Sequence, residues 1–151
     1  MSGRSIDGDG LPEGGFAALA PELSVTDLSA SLRFWCGTLG FRIVYARPES
    51  GFVSLQRERA QVMLEAINGR WQTGALAHPF GRGINLQIEV TALAPILAGL
   101  ERVGWPLFEP PHEAWYRAGR CEVGLRQCLV QDPDGYLLRF AEALGTRQSE
   151  I

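Results

Sequence analysis

Apolar and polar positions divide the chain into two blocks that read alike. Leu19 to Val25 has the look of a short strand, and Asp27 stands where it would cap a following helix. That helix is expected over Leu28 to Leu39, because Leu28, Leu32, Trp35, Cys36 and Leu39 fall on one helical face and Gly40 supplies a stop. Phe41 to Ala46, Phe52 to Arg57 and Val62 to Ile67 then read as strands of an antiparallel meander, parted by Pro48-Glu49-Ser50-Gly51 and by Glu58-Arg59. From Asn68 to Gly83 periodicity fades into Gly, Pro, Trp and His, which suits a linker. The pattern restarts with a strand over Ile84 to Val90 and a helix over Leu93 to Val103, stopped by Gly104. Trp105 to Phe108, Cys121 to Gln131 and Tyr136 to Glu142 complete the second block as strands, with Glu109 to Gly119, which contains Pro110-Pro111, as a long loop.

The restart is a repeat. Val25-Thr26-x-Leu28 recurs 65 residues later as Val90-Thr91-x-Leu93, and Leu32 and Leu97 keep that offset. Leu39-Gly40-Phe41 answers to Val103-Gly104-Trp105, and Leu64-Glu65 to Leu138-Arg139. The fold class expected is α+β: two tandem βαβββ modules, over about residues 17–67 and 84–142, forming curved antiparallel sheets with outer helices. The competing fold is the ferredoxin-like sandwich, which also repeats a βαβ unit. Two such modules, from one chain or two, enclose a concave chamber suited to a small ligand. A homodimer is the simplest completion.

Composition narrows the class. At 151 residues, 46% hydrophobic and 21% charged, the chain fits one ordinary globular domain, and no apolar run is long enough to cross a bilayer. Residues 1–15, rich in glycine and without a signal-like apolar core, read as a disordered arm preceding a domain over 16–151. A net charge of -3 argues against nucleic acid as a partner. Cys36, Cys121 and Cys128 show no C-x-x-C spacing, so a reducing cytoplasm is expected and all three read as structural thiols.

Specific strings then carry a resemblance. Pro21-Glu22-Leu23-Ser24-Val25-Thr26-Asp27-Leu28 with Ser31 and Phe34, Leu39-Gly40-Phe41, and above all Asp132-Pro133-Asp134-Gly135-Tyr136-Leu137-Leu138-Arg139-Phe140 resemble the glyoxalase, bleomycin-resistance and dioxygenase (vicinal-oxygen-chelate) superfamily. Gly51-Phe52 with Leu55-Gln56-Arg57, and Met63-Leu64-Glu65, are closer to its bleomycin-resistance branch. The resemblance implies the paired βαβββ fold and, in the enzymes, a divalent metal held by His and Glu at the inner ends of equivalent strands. The matching positions here are Ala20, Glu65, Asn85 and Arg139. Only Glu65 suits a cation, since alanine has no donor, neutral Asn is weak and Arg carries a fixed positive charge. No cofactor and no metal are therefore expected.

What the resemblance implies instead is an antibiotic-binding protein that sequesters a ligand, such as a glycopeptide, in a groove at a homodimer interface. Phe52, Trp115 and Tyr116 are candidate aromatic contacts, and Glu65, Asn85 and Arg139 candidate polar ones, with a Glu65–Arg139 ion pair as one way to replace the metal. Glu65, Glu113 and Glu122 are the acids that would receive a cationic ligand. Trp71, in a polar segment, is a second exposed ring, whereas Trp35 and Trp105 read as core. His78 and His112 sit in proline-bearing segments, and His112-Glu113 reads as a solvated loop pair. Two rivals stay open: a glyoxalase-like or dioxygenase-like metal enzyme, and a module with no small ligand.

Overall fold

The computed structural model describes residues 10–150, which divide into two compact units meeting at His78 and Pro79. The first holds β1 (Glu22–Val25), α1 (Leu28–Leu32), β2 (Arg42–Arg47), β3 (Phe52–Arg57) and β4 (Ala60–Ala66). The second holds β5 (Asn85–Glu89), α2 (Ala94–Arg102), β6 (Glu109–Ala118), β7 (Cys121–Gln131) and β8 (Leu137–Gln148). Both sheets have one topology, β1-β4-β3-β2 and β5-β8-β7-β6, with the first and last strand of each module parallel and the other pairs antiparallel. The repeat read from the sequence is thus an architectural one.

In the first unit, strand alternation places Leu23, Val25, Val53, Leu55, Val62 and Leu64 on one face, all buried with Phe34, Trp35, Leu39 and Phe41. The Asp27 carboxylate accepts from the Ala30 amide at 3.1 Å and starts α1 as expected. The helix does not run on in one register to Leu39. It widens into a π-helical turn over Arg33–Thr38, closed by the Leu39 amide donating to the Phe34 carbonyl at 2.9 Å. One extra residue in that turn lets the adjacent rings of Phe34 and Trp35, and then Leu39, all reach the core, while Cys36 is only half-buried.

The opposite face of this sheet is covered in part by the segment before β1. The Gln56 side chain both accepts from the Glu13 amide and donates to the Glu13 carbonyl, each at 2.9 Å. Gln61 does the same for the Ala17 amide at 3.0 Å and the Gly15 carbonyl at 2.7 Å, and the Phe16 ring meets Tyr45 edge-on at 6.4 Å. Of the arm expected over residues 1–15, residues 1–9 lie outside the described residues, and the remainder is tied down by these amide clamps. β1 is also shorter than expected, leaving Leu19 exposed and Ala20 before the strand.

The second unit buries Ile88, Leu138, Phe140, Cys128 and Val130 with Leu93, Ile96 and Leu100 of the α2 region. Two expectations reverse here. Trp105 to Phe108 is not a strand, and the expected loop over Glu109 to Gly119 is mostly β6. β6 is the edge strand, and the ladder is irregular between Glu109 and His112, where Pro110-Pro111 fall, so the missing amide donors are tolerated. The Trp105 indole donates to the Gln131 carbonyl at 2.8 Å and anchors the segment leading to β6.

The Asp132-Pro133-Asp134-Gly135 turn fastens the start of this unit to its last strand. The buried Asp132 carboxylate accepts from the Asp134 amide at 3.0 Å and the Tyr136 amide at 2.9 Å. The Asp134 carbonyl receives the Phe80 amide at 2.8 Å. Gly135 has φ +95°, and a Cβ there would meet Pro79 at 2.5 Å, so glycine is required twice over. Asp132→Ala is expected to lower unfolding stability by about 3 kcal/mol, two hydrogen bonds to a buried carboxylate; urea denaturation showing a loss below about 0.5 kcal/mol would contradict this role for the turn.

Candidate functional site

Each sheet presents its second face as a polar surface, and the residues singled out from sequence divide between the two. In the first unit, cross-strand pairing sets Arg47 beside Phe52, Phe52 beside Glu65 and Glu65 beside Ser24. Phe52 is only 3% exposed, because the Arg47 guanidinium lies over its ring at 3.9 Å and Tyr45 packs against it at 5.8 Å. It is a covered ring rather than a groove wall. Glu65 is 8% exposed and accepts from the Asn68 amide at 2.9 Å, with Arg70 at 3.7 Å. Arg70 in turn stacks on Trp71 at 4.4 Å, and that ring is 77% exposed. Trp71 and Phe16 are the exposed aromatic rings among the described residues of this unit.

The ladder also exposes a residue that sequence reasoning missed. Glu22 lies opposite Met63, two places before Glu65, just as Asn85 lies opposite Leu137, two places before Arg139. Measured against the last strand of each module, the partner of Asn85 is therefore Glu22 and not Ala20. The repeat offset of 65 carries Asn85 onto Ala20, the position matched by motif, but the strand-to-helix spacing differs between the modules and the ladder puts Glu22 in that place. Glu22 and Glu65 share a hydrogen bond, which raises the Glu22 pKa above its ordinary 4.5, helped by burial and the Glu65 charge and opposed by Arg70 and Arg47. The same bond holds Glu65 below 4.5; burial opposes it, and Arg70, Asn68 and Arg47 reinforce it.

In the second unit a chain of polar contacts crosses all four strands. Arg139 Nε donates to Asn85 Oδ1 at 3.0 Å and its Nη1 reaches Gln127 Oε1 at 3.5 Å. The buried Gln127 donates through Nε2 to Tyr116 Oη at 2.7 Å and to His112 Nε2 at 3.1 Å. His112 Nδ1 donates to the Pro110 carbonyl at 2.9 Å, which leaves Nε2 as the acceptor. Tyr116 is 45% exposed.

Trp115, next along β6, points to the other face. Its ring lies on Gly124, where a Cβ would come within 2.6 Å, and under the Arg147 guanidinium at 4.1 Å, which also pairs with Glu122 at 2.6 Å. Trp115 and Tyr116 therefore do not share a surface. His112 and Glu113 are separated in the same way: neither is in a loop, and Glu113 is paired opposite Arg126. His78 lies in the irregular segment between the modules, as expected. Glu65 and Arg139 each find partners inside their own unit.

The comparisons with known proteins agree with this architecture. A family model for the glyoxalase/bleomycin resistance protein/dioxygenase superfamily matches residues 16–140. The chain belongs to this superfamily. Among solved structures it is similar to TioX from Micromonospora sp. ML1, at 20% identity over 85% of this chain and all of that one, with a TM-score of 0.66. It is also similar to a virulence protein of Salmonella typhimurium, at 19% identity over 84% and 96% of the two chains and a TM-score of 0.60. The bleomycin resistance determinant encoded on transposon Tn5 matches at 24% identity over 84% and 98%, with a TM-score of 0.57. No curated protein sequence matches.

Of the positions where the resemblance puts metal ligands, Arg139 and Asn85 of the second unit do not fit one, whereas Glu22 and Glu65 of the first are both carboxylates. Arg139 brings a fixed cation, and the one donor oxygen beside it, Asn85 Oδ1, accepts from that cation. Among the described residues no three His, Cys, Asp or Glu side chains come together as a metal site requires.

Two predictions follow the titrating groups. Glu22→Gln keeps the hydrogen bond to Glu65 but cannot ionise. The Glu22 contribution to native stability is present below its ordinary 4.5 and lost as pH rises through its raised value, whereas that of Glu65 is present above 4.5 and lost as pH falls through its lowered value. The Tm of the variant should thus match the native protein near about pH 4 and exceed it near about pH 8; a pH-independent difference would count against the shared proton. Separately, burial pushes the Cys36 and Cys128 thiols up to about 11. Iodoacetamide at about pH 8 should label Cys121 well ahead of both in native protein, and equal labelling of all three would contradict their inert burial.

Proposed function

We propose that this protein is a metal-independent small-molecule binding protein of the bleomycin-resistance type, holding its ligand without transforming it. The observation that supports the reading best is the Arg139–Asn85 hydrogen bond at 3.0 Å, which joins a guanidinium to the one neutral oxygen donor at the two positions where the resemblance puts metal ligands in catalytic members. The exposed Trp71 and Tyr116 supply aromatic surface at the polar face of each unit. In this reading a second copy of the chain completes the binding groove, as in the homodimer expected from the family.

None of the acids expected to receive a cationic drug is free to do so alone. Glu122 is paired with Arg147, Glu65 with Glu22 and Arg70, and Glu113 faces Arg126 on the helix side of its sheet. The ligand is therefore left open between bleomycin and other aromatic natural products.

The test combines metal analysis with a binding screen. Protein purified without added metal should hold no stoichiometric Zn, Ni, Mn or Fe, and its Tm should be unchanged by EDTA. A thermal-shift panel of aromatic antibiotics and acids, including metal-free bleomycin, should yield at least one compound that binds saturably by calorimetry and is recovered unmodified. A stoichiometric metal whose removal lowers Tm, or a panel compound that returns altered, would point to the enzyme.

A further inference from the structure

Every hydrogen bond in the polar chain of the second unit has a forced direction. A guanidinium can only donate, so Asn85 must turn its carbonyl oxygen to Arg139, and Gln127 must do the same. With Oε1 so placed, Gln127 presents its amide hydrogens to Tyr116 Oη and His112 Nε2. Both are thereby acceptors, and His112 spends its own hydrogen on the Pro110 carbonyl.

What remains on Tyr116, Asn85 and Arg139 after this accounting is all of one kind. Tyr116 already accepts from Gln127, so its hydroxyl hydrogen is left to point away. Asn85 has its amide hydrogens left, and Arg139 has the outer N–H groups of its Nη1 and Nη2 atoms. None of these has an acceptor among the described residues, and no Asp or Glu there pairs with Arg139. Around Arg139 the surface offers donors and a positive charge, and its acids stand apart from the guanidinium: Glu109 lies 3.9 Å from His112 Nε2 and Glu89 lies opposite Ala141. Around them on the same face, Leu125, Leu129, Ala114 and Ala141 are apolar.

We infer that the polar face of the second sheet is a carboxylate site, in which the Arg139 guanidinium receives a planar carboxylate and Tyr116 donates to a further acceptor on a ligand with an apolar body. This deepens, and rests on, the small-molecule reading above. A planar two-oxygen anion matches the guanidinium edge, and an apolar body covers the surrounding leucine and alanine side chains. A neutral ligand would leave the Arg139 charge unpaired, and a cationic one would be repelled by it.

The experiment is an NMR or calorimetric titration of the full chain with five probes of similar shape: benzoate, salicylate, benzamide, benzamidine and phenyl phosphate. Benzoate should bind at least ten-fold tighter than benzamide and benzamidine. Arg139→Gln should cost benzoate at least ten-fold while leaving benzamide unchanged. Tyr116→Phe should weaken salicylate, which carries a second acceptor, more than it weakens benzoate, and its Tm is measured alongside because the lost hydroxyl also accepts from the buried Gln127. Equal binding of benzoate and benzamide, indifference to Arg139→Gln, or preference for benzamidine would overturn the site, and tighter binding of phenyl phosphate would overturn its assignment to carboxylates. Any of these results in protein that still binds a panel compound without metal defeats the carboxylate site alone. Failure of every probe and every panel compound defeats the reading beneath it as well.

Discussion

The guanidinium of Arg139 cannot accept a hydrogen bond or lose its charge, and the polar face of the second sheet is arranged around that constraint. Asn85 and Gln127 must offer oxygen to it, Gln127 must then offer hydrogen to Tyr116 and His112, and His112 must take the tautomer that leaves Nε2 bare. A lysine in this place would be a mobile point charge and would impose no such ordering. The arginine thus converts a row of neutral side chains on four strands into a surface with a defined donor pattern.

The fold permits this because the two faces of each sheet carry different burdens. One face packs a helix and is held by burial: Trp35 and Leu39 in the first unit, Ile96 and Leu100 in the second. The other face need only satisfy its own polar groups, and the two modules do so in opposite ways. Where the second has Arg139 beside Asn85, the first has Glu65 beside Glu22, a carboxyl pair sharing a hydrogen bond and flanked by Arg70 and Arg47. Identical topology with opposite charge at equivalent positions is how one scaffold can host unrelated functions.

Much of the architecture was legible from the chain. The module repeat, the Asp27 cap and the Asp-Pro-Asp-Gly turn rest on local chemistry and read correctly. The π-helical turn did not, because a single inserted residue leaves the apolar spacing of Phe34, Trp35 and Leu39 nearly helical. β6 was hidden by Pro110-Pro111, whose penalty vanishes at an irregular edge strand. At the candidate site, Arg139 and Asn85 were singled out by motif and do touch one another, but Trp115 and Tyr116 were read together although neighbours on a strand face opposite ways. Glu22 was missed because only the strand register, not the repeat offset, places it beside Glu65.

The His112 tautomer reports the whole ordering at once, and long-range proton–nitrogen correlation NMR at neutral pH measures it directly. A hydrogen on Nδ1, with Nε2 unprotonated, is the result that the arginine-directed chain requires. A hydrogen on Nε2, or a doubly protonated ring that turns to the Glu109 carboxylate 3.9 Å away, would mean that Arg139 does not set the direction of the chain.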